Sequence, residues 1–204
     1  MADGLGGEVA GDYAAEIMIS RLAGINRIDN GCEMQQLALL ARETDLAVTD
    51  KKEKDPDLEG MATTLVCVLL RDKVAYWVHA GDSRLYLLRD NRLTQITEDQ
   101  TLARFLLEEG EITPDQAPAH YSRHIMDQYI GCGYCEPETG RLAVEEKDLL
   151  ILTTDGVHRK VPPETLTSFL SGKTDLKTKA RFVVDTALEA DGNDNITLVI
   201  ARIQ

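Results

Sequence analysis

The strongest constraint on the fold is a run of four short apolar segments within residues 61–97, separated by tight turns. The segment MATTLVCVLL is rich in apolar and β-branched residues. VAYWVHAG, RLYLLRD and RLTQIT follow it, with the turns RDK and DN among them. Such closely spaced segments form antiparallel hairpins, because a parallel pair needs a long crossover connection. The sequence therefore predicts an antiparallel β-meander.

Helical patterns lie on both sides of this meander rather than between its strands. Residues 11–24 and 32–55 carry apolar residues at helical spacing, and residues 101–131 have a helical pattern interrupted at Gly and Pro. Two strands are predicted within 142–156 and another at 194–203, and PPETLTSFLSG and LKTKARFVVDTALEA form helices between them. Because strands and helices form separate runs, the predicted class is α+β with an antiparallel core.

The composition restricts the possible partners. A chain of 204 residues suits one domain, and its formal net charge of −13 repels nucleic acids and anionic lipids, so neither is expected as a partner. No apolar run approaches the ~18 residues of a membrane span. The N-terminus shows no basic stretch followed by an apolar signal core. We therefore expect a cytoplasmic protein.

The four cysteines, Cys32, Cys67, Cys132 and Cys135, do not form a disulfide framework in a chain of this length. Cys132 and Cys135 make a CxxC in the stretch IGCGYCEPETG. A zinc knuckle needs a second ligand pair, and the sequence has no second CxxC. A redox CxxC is expected to open a helix, whereas this one lies among Gly, Pro and Thr. The pattern favours loop cysteines, with metal binding or redox chemistry as the alternatives.

Four aspartates share one local setting, a junction of strand and loop beside Gly or Asn: Asp3 in ADGLGG, Asp82 in HAGDSR, Asp155 in TTDG and Asp194 in GNDNIT. Antiparallel strands bring the end of one beside the start of the next, so Asp155 and Asp194 are expected at one sheet edge. Converging carboxylates stay ionised only around a cation, and oxygen-only ligands select Mg²⁺ or Mn²⁺. Each dipeptide taken alone is also a common turn, so the spacing leaves both interpretations open.

Five motifs extend this pattern: ADGLGGEVAG, GMATTLV, HAGDSRLYLLRDNRLTQIT, TTDGV and DNITLVIA. In order and spacing they resemble the metal-dependent Ser/Thr protein phosphatases of type 2C, in their short bacterial form. The resemblance runs from residue 2 to residue 202 and implies a single catalytic domain over residues 1–204. The implied fold is a sandwich of two antiparallel β-sheets flanked by helices, in four α-β-β-α layers, here without the family's N-terminal strands.

The resemblance also implies roles for the matching aspartates. Asp3 would bridge two metal ions and the Gly4 carbonyl would complete the second, while Asp155 and Asp194 would hold the first. Asp82, with Asp155, would hold a third, weaker ion, so the implied cofactors are two or three Mn²⁺ or Mg²⁺ ions. A metal-bridging water held through the catalytic Asp3 and Asp155 would attack phosphorus in line, without a phospho-enzyme. The implied reaction is hydrolysis of phosphoserine and phosphothreonine on proteins.

Further implied positions surround this cluster. Thr63 and Thr64 would lie behind the metals, and Asn195 would orient Asp194. Residues 101–131 would form a mobile flap that influences substrate choice. Candidate substrate contacts in the flap are His120, Arg123 and His124. The implied partners are phosphorylated proteins, substrates of a cognate Ser/Thr kinase, and the chain is expected to be a monomer.

The chain departs from the family pattern at its N-terminus. The family's two N-terminal strands supply an Arg that grips phosphate and an Asn-Glu-Asp motif that supports the second metal, and this chain has neither. Glu8 stands where the family has His. The alternative function is therefore a catalytically impaired or truncated phosphatase domain that acts as a phosphoprotein-binding regulatory module. The departures also predict that Met1 is a miscalled start inside a central strand, whose exposed edge would promote aggregation.

Overall fold

A computed structural model of the protein describes residues 1–5, 8–190 and 194–204. The α-helices are α1 (Glu8–Ala23), α2 (Glu33–Lys54), α3 (Leu102–Glu108), α4 (Asp155–His158), α5 (Pro163–Ser171) and α6 (Leu176–Glu189). The strands are β1 (Gly4–Leu5), β2 (Ala62–Thr63), β3 (Leu65–Arg71), β4 (Val74–Ala80), β5 (Arg84–Arg89), β6 (Arg92–Gln95), β7 (Glu138–Ala143), β8 (Leu149–Thr153) and β9 (Leu198–Arg202). No helix in the described part of the chain has the length and hydrophobicity needed to span a membrane.

These elements form two compact units. The first comprises Met1–Arg71, Ala75–Asp82 and Asp99–Leu142, and the second comprises Asp72–Val74, Ser83–Glu98 and Ala143–Gln204. The β1-β2 pair and, apart from Val74 and Ala143, the β3-β4-β7 sheet belong to the first unit. The β6-β5-β8-β9 sheet belongs to the second. Each unit has a hydrophobic core of its own.

In the first unit, α1 and α2 pack with strand residues around one core. Its buried members include Ala14, Met18, Leu37, Ala41, Val48, Leu65, Val78 and Ile130. The approach of α1 to β1 requires glycine on both sides: a Cβ on Gly4 would lie 2.4 Å from the carbonyl carbon of Gly11. Because that distance is far below van der Waals contact, α1 can pack directly on the backbone that follows Asp3.

In the second unit, the β6-β5-β8-β9 sheet carries α5 and α6. The strands are antiparallel, with Tyr86 opposite Ile151 and Ile151 opposite Ile200. The core includes Tyr86, Leu88, Leu149, Ile151, Val157, Leu166, Leu170, Val183 and Ala187. The β8 strand is buried along its whole length, as expected for a central strand with an apolar run. The loop that follows β8 therefore begins at a buried, hydrogen-bonded strand end, Thr153.

The structure confirms the α+β class with antiparallel sheets, and it corrects three boundaries. In 101–131 only α3 is α-helical, because Gly110, Pro114 and Pro118 interrupt the pattern and leave short 3-10 turns. The strand expected from 142 onward is β7, which begins at Glu138. Its Gly140 is needed there, since a Cβ would lie 2.3 Å from the Trp77 ring. The last strand begins at Leu198, so Asp194 lies in the loop before it.

Candidate metal centre

The backbone of Asp3 is fixed by two buried threonines of the first unit. The Asp3 carbonyl accepts hydrogen bonds from the Thr63 hydroxyl and from the Thr64 backbone N–H, both at 2.9 Å. The Asp3 N–H donates in turn to the Thr64 hydroxyl at 3.1 Å. These bonds follow from the antiparallel β1-β2 register, which places Gly4 opposite Thr63. The backbone that carries the Asp3 carboxylate is thus tied to β2, where the resemblance had implied that these threonines support the site.

Asp82 follows a residue whose positive φ favours glycine. This residue, Gly81, comes directly after β4 and has φ +112°, and its N–H donates to the Gln100 side-chain oxygen at 2.9 Å. Gln100 completes a reciprocal pair, because its own N–H donates to the Gly81 carbonyl at 2.9 Å. A Cβ on Gly81 would lie 2.8 Å from Thr64 Cγ2. Asp82 itself is 5% exposed, so a carboxylate is held in a largely buried position at this turn.

In the second unit, the segments of Asp155 and Asp194 lie at the same edge of the β8-β9 pair. The Thr154 N–H donates to the Thr197 carbonyl at 3.1 Å, and the Thr154 hydroxyl donates to the Asn195 carbonyl at 3.1 Å. A Cβ on Gly156 would lie 2.5 Å from that Asn195 carbonyl oxygen, so α4 begins in direct contact with the loop. This is the edge that antiparallel pairing predicted for the two aspartates.

The two carboxylates of this edge have different environments. The Asp194 Oδ1 accepts the backbone N–H of Asn195 at 2.8 Å, and the residue is exposed. The side chain of Asp155 is 14% exposed, and its Oδ2 lies 2.9 Å from a guanidinium nitrogen of Arg159. Sequence reasoning missed Arg159, although a basic residue four positions after an acidic one is the spacing of a helical ion pair. The Arg159 cation compensates the charge of a carboxylate that has lost much of its solvent.

The flap candidates bond within their own segment. The His120 ring nitrogen Nδ1 lies 2.6 Å from the Ser122 hydroxyl, and it caps the 3-10 turn Tyr121–His124 by accepting the Ser122 backbone N–H. The Arg123 Nε donates to the His124 ring at 2.8 Å, and another guanidinium nitrogen donates to the Pro118 carbonyl at 3.2 Å. These contacts order the segment, and a substrate role for the three residues stays a prediction.

The donor chemistry suits a hard divalent cation. The predicted ligands are carboxylates with one backbone carbonyl, and Asp82 and Asp155 are shielded from solvent. Within residues 1–5, 8–190 and 194–204, no three His, Cys, Asp or Glu side chains are grouped so that they could hold a metal ion. Within the second unit, the structure thus brings Asp155 and Asp194 to one sheet edge. Within the first unit, Thr64 contacts both Asp3 and Gly81.

Comparison with known proteins identifies the family of the chain. The family described as "Protein phosphatase 2C" matches residues 1–192. The serine/threonine protein phosphatase PstP of Mycobacterium tuberculosis is 35% identical over the whole chain, which spans 40% of that protein's length. The protein phosphatase PhpP of Streptococcus pneumoniae is 31% identical, over 100% of the chain and 84% of its own length.

A solved structure gives the same result for the fold. The catalytic domain of the serine/threonine protein phosphatase PstP, crystallised with two manganese ions, superposes with a TM-score of 0.84 at 35% identity. The match covers 98% of this chain and 85% of that domain. The family match over residues 1–192, the relatives and the fold together show that the chain belongs to the protein phosphatase 2C family.

Proposed function

We propose that the chain hydrolyses phosphoserine and phosphothreonine in proteins with the help of Mn²⁺ or Mg²⁺. The observation that carries the proposal is the placement of Asp155 and Asp194 at one edge of the β8-β9 pair, with Gly156 in contact with Asn195. Membership of the protein phosphatase 2C family supports the reaction type. The relatives are named as phosphatases, which favours the hydrolase over the binding-only alternative.

In this proposal the oxygen ligands are those that the family resemblance implies. They are Asp3, the Gly4 carbonyl, Asp82, Asp155 and Asp194. When bound, divalent cations would neutralise phosphate charge and lower the pKa of a water to make it a nucleophile near neutral pH. Direct attack of water on phosphorus needs no phospho-enzyme, and in this proposal the aspartates act as metal ligands rather than as nucleophiles.

Neighbouring residues of the chain position two of the proposed ligands, Asp3 and Asp155. Thr63 and Thr64 hold the Asp3 backbone through three hydrogen bonds, so its carboxylate needs little reorganisation to bind. Arg159 lies on Asp155, and its guanidinium contacts the Oδ2 of that carboxylate at 2.9 Å. The cations are also needed to attract a phosphoprotein, because a chain of net charge −13 repels one. A cognate Ser/Thr kinase, a monomeric state and a cytoplasmic location belong to the same proposal.

The test is hydrolysis of a phosphothreonine peptide in the presence of Mn²⁺, with and without a chelator. Asp155→Asn and Asp194→Asn remove a ligand charge with little change of shape, and each should lower turnover by at least about 100-fold. Asp50→Asn is the matched control, since Asp50 is exposed on α2 and pairs with Lys54 in a surface contact at 2.6 Å. Circular dichroism melting checks that all variants fold. Turnover that survives chelation, or an Asp155→Asn variant as active as Asp50→Asn, would overturn the proposal.

A further inference from the structure

The CxxC loop of the first unit is held by one buried carboxylate. Asp45, on α2, is 2% exposed. Its Oδ1 accepts the backbone N–H groups of Gly131 at 2.6 Å and Gly133 at 3.1 Å, and its Oδ2 accepts the N–H of Cys135 at 3.1 Å. Three charge-assisted hydrogen bonds on a buried carboxylate fix the backbone on both sides of Cys132.

The same loop is fixed from two further directions. The Lys52 ammonium donates to the Gly131 carbonyl at 2.6 Å. Gly131 and Gly133 have φ of +103° and +86°, conformations that other residues rarely adopt. A Cβ on Gly131 would lie 2.8 Å from Val48 Cγ1, so the loop lies directly on α2. The two thiols are therefore presented by a preorganised turn rather than by a loose connection.

The two thiols of this turn differ in exposure and interact with each other. Cys135 is 5% exposed, whereas Cys132 is half-buried and packs at the margin of the core. Interaction with the Cys135 side chain lowers the pKa of Cys132 to about 7, against the cost of burial. The backbone of Tyr134 and Tyr129 acts in the same direction, and the Asp45 carboxylate opposes them. Interaction with Cys132, followed by burial, raises the pKa of Cys135.

A metal-binding role does not fit this loop. Among the residues that the structure describes, no third His, Cys, Asp or Glu joins the two cysteines in an arrangement that could hold an ion. Asp45, the nearby carboxylate, is engaged with the three backbone N–H groups. With metal binding set aside, the half-buried Cys132 and the buried Cys135 of one turn are suited to thiol chemistry.

We propose that Cys132 and Cys135 form a redox-active dithiol that hydrogen peroxide oxidises to an intramolecular disulfide and a thiol reductant restores. The Cys132 thiolate attacks the peroxide O–O bond, gains one oxygen as a sulfenic acid and releases the other as hydroxide, which solvent protonates. The Cys135 sulfur then attacks the sulfenic sulfur, the S–S bond forms and the S–O bond breaks. The departing hydroxide takes the Cys135 proton, so two thiols are oxidised and one hydrogen peroxide is reduced to two waters.

The order of the two steps follows from the environment. Cys132 reacts first because it is the more exposed cysteine of the two. Oxidation to a neutral sulfenic acid removes the negative charge at Cys132. That charge is among the causes that raise the pKa of Cys135. The first step thus prepares the second sulfur to resolve the intermediate.

The experiment is peroxide oxidation of the reduced, desalted protein followed by alkylation, proteolysis and mass spectrometry. In the wild type and in Cys32→Ser, the peptide with both cysteines should resist alkylation and weigh two hydrogens less, and dithiothreitol should reverse both effects. In Cys135→Ser, Cys132 should be captured by dimedone as a sulfenic acid. In Cys132→Ser, the buried Cys135 should stay reduced. Circular dichroism checks the fold of each variant.

A second measurement separates a reactive thiol from a merely accessible one. In Cys32→Ser, the alkylation rate of Cys132 should rise with pH to half its maximum near pH 7. The same cysteine in the urea-unfolded chain should do so near the ordinary value of about 8.5. Two results would overturn the proposal: both cysteines alkylated after peroxide as fully as before, or Cys132 oxidised to the sulfinic acid while Cys135 keeps its thiol.

Discussion

Thr64 and Asp3 hold each other by a reciprocal pair of hydrogen bonds. The Thr64 N–H donates to the Asp3 carbonyl at 2.9 Å, and the Thr64 hydroxyl accepts the Asp3 N–H at 3.1 Å. The methyl group of the same threonine lies where a side chain on Gly81 would have to go. The fully buried side chain of Thr64 therefore contacts the backbone at two predicted metal ligands. It bonds to the backbone of Asp3 and packs on Gly81, the residue before Asp82.

This relationship predicts that the hydroxyl of Thr64 matters more than its methyl group. Thr64→Val keeps the shape but leaves the Asp3 N–H without its acceptor, and it should lower the free energy of unfolding by about 1–3 kcal/mol. Thr64→Ser keeps the acceptor and should cost only about 1 kcal/mol. Urea unfolding of the two variants measures the difference. A valine variant as stable as the serine variant would show that the bond to the Thr64 hydroxyl contributes nothing.

The buried Asp45 predicts a large difference between two aspartates of one helix. Asp45→Ala removes the acceptor of three backbone N–H groups, and we expect it to lower the free energy of unfolding by about 3 kcal/mol or more. Asp50→Ala, at an exposed position of α2, should stay within about 0.5 kcal/mol of the wild type. Denaturant unfolding compares the two, and equal losses would contradict the role given to Asp45.

The contact of Arg159 with Asp155 predicts an effect on metal affinity. A cation beside a ligand carboxylate repels an incoming metal ion, so Arg159→Ala should tighten Mn²⁺ binding, by about 2–5-fold at this partly exposed position. Arg181→Ala is the control, because Arg181 forms an exposed helical pair with Asp185 at 3.9 Å. Titration calorimetry with Mn²⁺ gives both values. Weaker binding by Arg159→Ala would mean that the arginine mainly orients the carboxylate.

The Arg89–Asp148 pair of the second unit predicts a pH dependence of stability. Asp148 is 2% exposed, and hydrogen bonds from Arg89, the shortest at 2.6 Å, lower its pKa. A carboxylate with a lowered folded pKa stabilises the fold above its unfolded pKa of about 3.9 and loses that contribution as the pH falls through its folded value.

The wild type should therefore lose more stability than Asp148→Asn when the pH falls from neutrality through this acidic range. Denaturant midpoints measured along the pH series give the comparison, and Asp185→Asn, at an exposed position, should follow the wild type. Parallel curves for the wild type and Asp148→Asn would contradict the assignment of this carboxylate.

Local signals explain how much of the fold the sequence could predict. The two hairpins within the predicted meander were predictable because their turns are encoded locally: Asp72, Lys73, Asp90 and Asn91 all have positive φ, and their strands follow directly. The same holds for the Asp155 and Asp194 edge, since antiparallel pairing of β8 and β9 brings the two loops together. The continuous meander was wrong, because β4 belongs to the β3-β4-β7 sheet whereas β5 pairs with β6 and β8. The start of β7 was misjudged because packing of Trp77 against Gly140 overrides local preference there.

The sequence by itself therefore determined the fold class, the antiparallel strands and the candidate carboxylates, because periodicity, turn residues and motif spacing act between near neighbours. Only the tertiary structure decided what supports those groups. Thr64 meets Asp3 across 61 residues of chain, and Asp45 meets Cys135 across 90. Hydrogen bonds between positions so far apart leave no local pattern, because they exist only after the core has packed and brought the segments together.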